Sequence, residues 1–278
     1  MQIRFGFELK LLASADTAAV VMLQVHPSRR SRLAVPDRLS VSPDLALRPY
    51  SDGFGNLCTR FVLPAGVEIT VTTDGVIEDS GRPDPIFIHA NAAEPHALPE
   101  EALVFLLPSR YCDSDSLAGM AWATFGRTKP GWERVQAICD FVHARLEFGY
   151  RYACGTRTAG EAMNERKGVC RDFAHTAISL CRAMNIPARY CTGYLSDIGT
   201  PPPYAVGDFA AWFEAWIGGR WQVFDPRNNV PRMGRILMAR GRDASDVAIA
   251  TTFGPNTLEV FRVWTDENSG GDVAGTTD

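Results

Sequence analysis

Gly168-Val169-Cys170-Arg171-Asp172-Phe173-Ala174-His175 sets one cysteine, directly after a short glycine-led entry, at the mouth of an apolar-periodic helix. A thiol there meets unpaired backbone N–H groups and the positive end of the helix dipole. Both favour the thiolate, so the pKa of Cys170 is expected to fall. A primed thiolate is a nucleophile for acyl carbons. Acyl chemistry also needs a base and a group that orients it, so the flanking strands have to be read for both.

Gly218-Gly219 separates two apolar runs and reads as a two-residue hairpin turn, where positive φ is needed twice. If Ile217 faces Arg220, Trp212 lies opposite Asp225 and position 210 opposite Arg227. Side chains alternate, so positions 210, 212, 214, 225 and 227 are expected to share one face. Position 210 would then sit diagonally from Asp225, roughly 7 Å across the ladder. A histidine at 210 would hydrogen-bond Asp225 and reach a thiol on the packed helix. The residue there is Ala210.

These stretches, Gly168–Ala188 and then DFAAWFEAWIGGRWQVFDPRNN from Asp208 to Asn229, resemble the bacterial transglutaminase-like cysteine enzymes. The run Tyr50–Gly66 (YSDGFGNLCTRFVLPAG) is similar to the β domain that precedes the core in bacterial members. The resemblance implies a papain-like core with a Cys-His-Asp triad. It assigns the nucleophile to Cys170 and the orienting acid to Asp225. The histidine position falls on Ala210, where the family commonly reads DFHAWFE. An engineered change, a different base and lost catalysis all remain open as its origin. The implied substrate is a peptide or other amide or acyl compound, handled by hydrolysis or acyl transfer. A catalytically weak fold serving as a peptide- or partner-binding scaffold is the alternative.

Other residues have plainer readings. His175 lies five positions after Cys170, roughly 140° around the helix, and points away from the thiol as a structural hydrogen-bonder. His143 sits beside an apolar stripe, at solvent or the core edge. His89 and His96 flank the domain junction. Trp212, with Trp216 and Trp221, lines either an acyl cleft or the core, since aromatic residues at strand spacing commonly pack inward. Glu214 shares the face of position 210 as a second acceptor or a solvated strand residue. Trp212 and Glu214 are therefore the candidate binding residues.

The elements that must position these groups are legible. A chain of 278 residues with 46% hydrophobic content can bury one large core or two modest ones. Residues 1–95 read as a β-rich domain resembling a sandwich, with runs at Ile3–Leu11, Ala18–Val25, Leu57–Leu63 and Val67–Val71 between turn clusters. Residues 96–268 read as an α+β core, a helix packed on an antiparallel sheet. Its helices are expected over Gly131–Phe148 and Cys170–Met184, from apolar steps of three and four. Strands are expected at Ala188–Leu195, Phe209–Ile217, Arg220–Phe224, Val247–Thr252 and Leu258–Trp264. Arg240-Gly241-Arg242-Asp243 reads as a polar turn, and residues 269–278 as a disordered tail.

The balance of 28 basic against 32 acidic residues argues against nucleic acid or an anionic membrane as partner. The cluster around Arg29, Arg30 and Arg32 reads as a solvated turn. Neither a secretory leader nor a membrane span is legible. Seven scattered cysteines without a CxxC pair suggest reduced thiols in a cytoplasm-like compartment. No ligand spacing suggests a metal, and no cofactor is expected. Oligomeric state is not encoded in any feature of the sequence.

Overall fold

The computed structural model describes residues 1–202, 204 and 207–268. The tail expected from Ser269 onward lies outside the described residues.

The chain opens with β1 (Gln2–Ala13) and β2 (Thr17–Val21), then a 3-10 turn over Pro27–Arg32 that carries the arginine cluster. Short strands β3 (Leu33–Val35), β4 (Ser40–Ser42) and β5 (Arg48–Ser51) lead to the longer β6 (Leu57–Leu63) and β7 (Glu68–Glu78). In β1 the alternate residues Ile3, Phe5, Phe7, Leu9 and Leu11 are buried and the residues between them, Gly6 apart, are not, the period-two signature of a half-buried strand.

The second half opens with α1 (Glu100–Leu103), α2 (Ser114–Phe125) and α3 (Trp132–Arg145). A two-residue β8 (Glu147–Phe148), α4 (Ala159–Glu165) and an equally short β9 (Lys167–Gly168) deliver the chain to α5 (Cys170–Ala183). Then come β10 (Ala188–Leu195), β11 (Phe209–Ile217), β12 (Arg220–Phe224), β13 (Arg235–Gly241), β14 (Ala250–Thr252) and β15 (Asn256–Glu267). This is the α+β architecture expected from the sequence.

Two sheets face each other in the N-terminal unit. One runs β15-β1-β7-β3 with β4 also on β7, and the other runs β14-β2-β6-β5. The last two strands, read from sequence with the core, therefore pair with the first two: β15 with β1 and β14 with β2, both antiparallel. Strand pairing thus closes the chain on its own beginning. β13 was not expected as a strand. Ile236, Leu237, Met238 and Ala239 are all buried, so the alternation that advertises a strand is missing.

The sheet of the second half runs β12-β11-β10-β13. The Gly218-Gly219 turn behaves as expected, with φ of 63° and 73° and Ile217 opposite Arg220. One face of this sheet does two jobs. At one end Ala211, Phe213, Ala215 and Ile217 pack under α5; at the other, Tyr194 and Phe209 meet Phe5 and Phe7 of β1, with ring centroids 5.0 and 6.2 Å apart. The helix is enclosed from Asp172 to Arg182 and forms the centre of the second core.

The entry to α5 is fixed by a carboxylate. Asp172 turns back so that its Oδ2 accepts the Val169 N–H at 2.8 Å, satisfying a donor the helix itself cannot. Arg157 supports it from the loop before α4, with Nη1 at 3.2 Å from the same oxygen. This fold-back requires glycine at 168, because a Cβ there would lie 2.5 Å from Asp172 Cβ and 2.6 Å from Oδ2. Gly168→Ala should therefore displace the Asp172 carboxylate and cost about 1–3 kcal/mol of stability. Urea unfolding measures it; an unchanged midpoint would mean the fold-back is not what holds α5.

Candidate active site

Cys170 is the first residue of α5 and faces a cleft of about 90 Å³. Phe148, Tyr150, Asp197, Asp208, Ala210, Ala211, Arg227, Asn228 and Arg232 share its walls. Each wall has an identifiable support. Phe148 belongs to the short parallel pairing of β8 with β9, which joins the chain ahead of α4 to the α5 entry, and Tyr150 follows it. Ala210 and Ala211 belong to the start of β11, and Asp208 directly precedes it. Arg227 and Asn228 come from the turn after β12.

The thiol is partly accessible, but the protein around it dominates its chemistry. Burial pushes Cys170 up to about 11, against the Ala211 N–H and the nearby Arg227 guanidinium, which both favour the thiolate. Asp208 and Asp225 add to the rise. The lowered pKa expected at a helix mouth is thus reversed: desolvation outweighs the dipole. The thiol form therefore predominates at neutral pH.

The β11–β12 ladder ends at Phe213 opposite Phe224, so Asp225 leaves the sheet and the expected Trp212–Asp225 facing pair does not form. Asp225 opens a tight turn instead. Its Oδ1 accepts the Asn228 N–H at 3.0 Å and its Oδ2 accepts Asn228 Nδ2 at 2.7 Å and Arg235 Nη2 at 2.8 Å. Burial works to raise this carboxyl, but Arg235 and Asn228 outweigh it and hold the pKa below the ordinary carboxylate range. Arg235 in turn donates from Nε to Asp84 at 3.0 Å and lies 5.0 Å over the Trp212 ring. Asp225 lines a separate cavity of about 300 Å³, with Asn228 between it and the thiol's cleft.

Neither candidate binding residue reaches the cleft. α5 covers the odd-numbered face of β11, whereas Trp212 and Glu214 lie on the other. Trp212 is buried against Cys191 and Leu237. Glu214 pairs with Arg189 at 2.6 Å. Ala210 belongs to that even face too, but it stands at the strand's beginning and lines the cleft with Cys170.

None of the five histidines lines the cleft. His175 is fully buried, lies between Tyr111 and Tyr190 at 5.3 and 5.0 Å, and accepts the Ala244 N–H at Nε2. Burial pushes it down to about 3, so it is neutral, the structural role read from its helical position. His143 is exposed on α3 and donates from Nδ1 to the Pro226 and Arg227 carbonyls at 3.2 and 3.0 Å. It steadies the turn that presents Arg227. His89 and His96 are exposed.

Arg227, Arg232, Asp208 and Tyr150 were not singled out from sequence. The DPRNN run after β12 carried a readable hint for Arg227, since its turn chemistry fixes the residue. Arg232 and Arg235 carried none, because each also depends on a distant segment: Arg232 on the Ser196 carbonyl and Arg235 on Asp84.

Asp225 has a lowered pKa when folded, so its ionised form favours folding above the ordinary carboxylate range. That contribution disappears as pH falls through the lowered value. Asp225→Ala should cost about 3 kcal/mol at pH 7, the lower end for breaking a buried pair because Asp84 still holds Arg235. The gap to the parent protein should shrink in acid. Urea unfolding across pH measures both; a pH-independent gap would contradict the ion-pair account.

Comparison with known proteins agrees with this geometry. The Transglutaminase-like superfamily matches residues 120–226, a span that includes Cys170, Ala210 and Asp225. An uncharacterized protein of Mycobacterium tuberculosis, Rv2569c, is 30% identical over 240 residues, covering 77% of this chain and 74% of the relative. The uncharacterized ML0607 of Mycobacterium leprae is 29% identical over 246 residues, 84% and 86% of the two chains. A crystal structure of a candidate cysteine protease from Cytophaga hutchinsonii is 29% identical and superposes with a TM-score of 0.81 over 95% of this chain and 90% of that one. With fold, motif order and sequence in agreement, the chain belongs to the transglutaminase-like superfamily.

Proposed function

We propose that the protein is a thiol-dependent amide or peptide hydrolase or acyl transferase that works through an acyl-enzyme on Cys170, with Ala210 in the position of the usual histidine. The observation that carries this reading is the half-buried Cys170 at the first turn of α5, lining a cleft with charged walls. In acylation the sulfur attacks the substrate carbonyl, an S–C bond forms, and the C–N bond breaks. The thiol proton leaves with the amine. Water or a second amine then displaces the sulfur, which recovers a proton. Backbone N–H groups at the start of α5 are available to the oxyanion.

With no imidazole in the cleft, proton transfer falls to other groups. Asp208 is a carboxyl of the cleft with no ion-pair partner among the described residues. It accepts the Phe209 N–H at 2.7 Å, and burial raises its pKa against the opposing effects of that N–H and the Tyr150 hydroxyl. Both properties suit a proton acceptor better than Asp225, whose oxygens are already engaged. General base assistance contributes about 10² to 10⁴ in rate, so a carboxyl in that role implies slow turnover of ordinary amides.

The raised thiol favours one competing reading, a peptide- or partner-binding scaffold in which Cys170 has lost its chemistry. Seven unpaired cysteines support a reducing, cytoplasm-like compartment, and no helix is long and apolar enough to cross a membrane.

Incubation with 4-nitrophenyl acetate followed by peptide mass mapping separates the two readings. The enzyme reading expects acetyl transfer to Cys170, lost in Cys170→Ser, with an acylation rate rising about tenfold per pH unit through neutrality as the thiolate fraction grows. Acetyl transfer to Cys170 no faster than to a free thiol of matched pKa would contradict it and leave the scaffold.

A further inference from the structure

Two guanidiniums on the cleft wall share one weak partner. Arg227 Nη1 donates to Asn228 Oδ1 at 2.6 Å and Arg232 Nη1 donates to the same oxygen at 3.0 Å. A neutral amide oxygen cannot balance two cations. Arg232 has a second anchor, Asp197 at 3.1 Å, and the Ser196 carbonyl at 2.8 Å. Arg227 has no carboxylate within ion-pair distance among the described residues. Its guanidinium is nonetheless held: it lies 4.3 Å over the Phe148 ring, and its backbone carbonyl accepts from His143. A second observation points the same way. Arg232 is more than nine-tenths buried, lines the cleft, and its buried Nε has no hydrogen-bond partner among the described residues.

A cation fixed in advance beside a nucleophile, and a buried donor without an acceptor, are what an anion would complete. Guanidinium groups bind carboxylates through paired N–H bonds. We infer that Arg227, backed by Arg232, forms an anion subsite next to Cys170, and that the acyl donor carries a carboxylate close to the carbonyl that is attacked. Peptides with an acidic side chain or a free C-terminus at the reacting position have this chemistry. The cleft's other charges are compatible with it. Asp197 is taken by Arg232, and Asp208 has Phe209 N–H and Tyr150 beside it instead of Arg227. The inference rests on the acyl-enzyme reading for its substrate, but the subsite itself is testable without turnover.

Iodoacetate and iodoacetamide differ by one charge at nearly constant size, and each forms an S–C bond with loss of iodide. The intact protein is labelled with each, and the rate at Cys170 is read by peptide mapping. The ratio of the two rates is then compared with that of glutathione. The subsite predicts a ratio for Cys170 about tenfold or more above the glutathione value. In Arg227→Gln it should fall to that value, and Arg227→Lys should keep part of the excess. Added salt should lower the ratio in the parent protein. A ratio equal to that of glutathione in the parent protein overturns the inference. So does an Arg227→Gln variant that slows both reagents equally, because the guanidinium would then serve only the thiolate. Failure of the acyl-enzyme reading looks different: a raised ratio together with no enhanced acetyl transfer to Cys170.

Discussion

The buried pairing of Asp225 with Arg235 governs what this cleft can do. It joins the end of β12 to the start of β13, and through Asp84 it ties both to the segment before the helices. Burying two charges is expensive, and their attraction offsets the cost only when the remaining hydrogen-bonding sites are satisfied. Here Asn228 supplies two donors to Asp225, which folds residues 225–229 into a turn. That turn carries Arg227 to the thiol. The acid that would orient an imidazole in the family's triad is thus committed to an arginine, in a chain where position 210 offers no imidazole to orient.

The opposing effects on Cys170 are of unequal size. A helix N-terminus and a neighbouring guanidinium stabilise a thiolate, but each acts on a sulfur that the surrounding protein has largely withdrawn from water. Desolvation wins, and the resting group is a thiol. In a cysteine enzyme with a complete triad, an imidazolium would supply the missing stabilisation and accept the proton in one step. Arg227 can supply the charge but cannot accept the proton. In the proposed reading, the two functions of the absent histidine would be divided between Arg227 and a carboxyl, Asp208, which would support chemistry on activated acyl groups more readily than on plain amides.

Much of this arrangement was written locally. The apolar steps of α5, the Gly218-Gly219 turn and the alternation in β1 each fix a conformation within one short segment, and all three appear as read. The face of β11 that meets the helix was misjudged, because a hairpin register says which residues share a face but not which face another element covers. β13 was hidden by burial on both sides, which erases period-two alternation. Arg232 and Arg235 were illegible because an arginine's role is set by the carboxylates and carbonyls it meets in three dimensions. The pairing of β15 with β1, across the whole length of the chain, has no local signature either.

The central claim is that Cys170 lies in a transglutaminase-like cleft that lacks the imidazole its chemistry would use. Ala210→His tests it most directly, with Cys170-dependent hydrolysis of a 4-nitrophenyl ester measured beside the thermal midpoint of the variant. The account predicts an increase of about 10² or more in rate, because Ala210 lines the same cleft as the thiol. A variant that folds as well as its parent and hydrolyses no faster would contradict it.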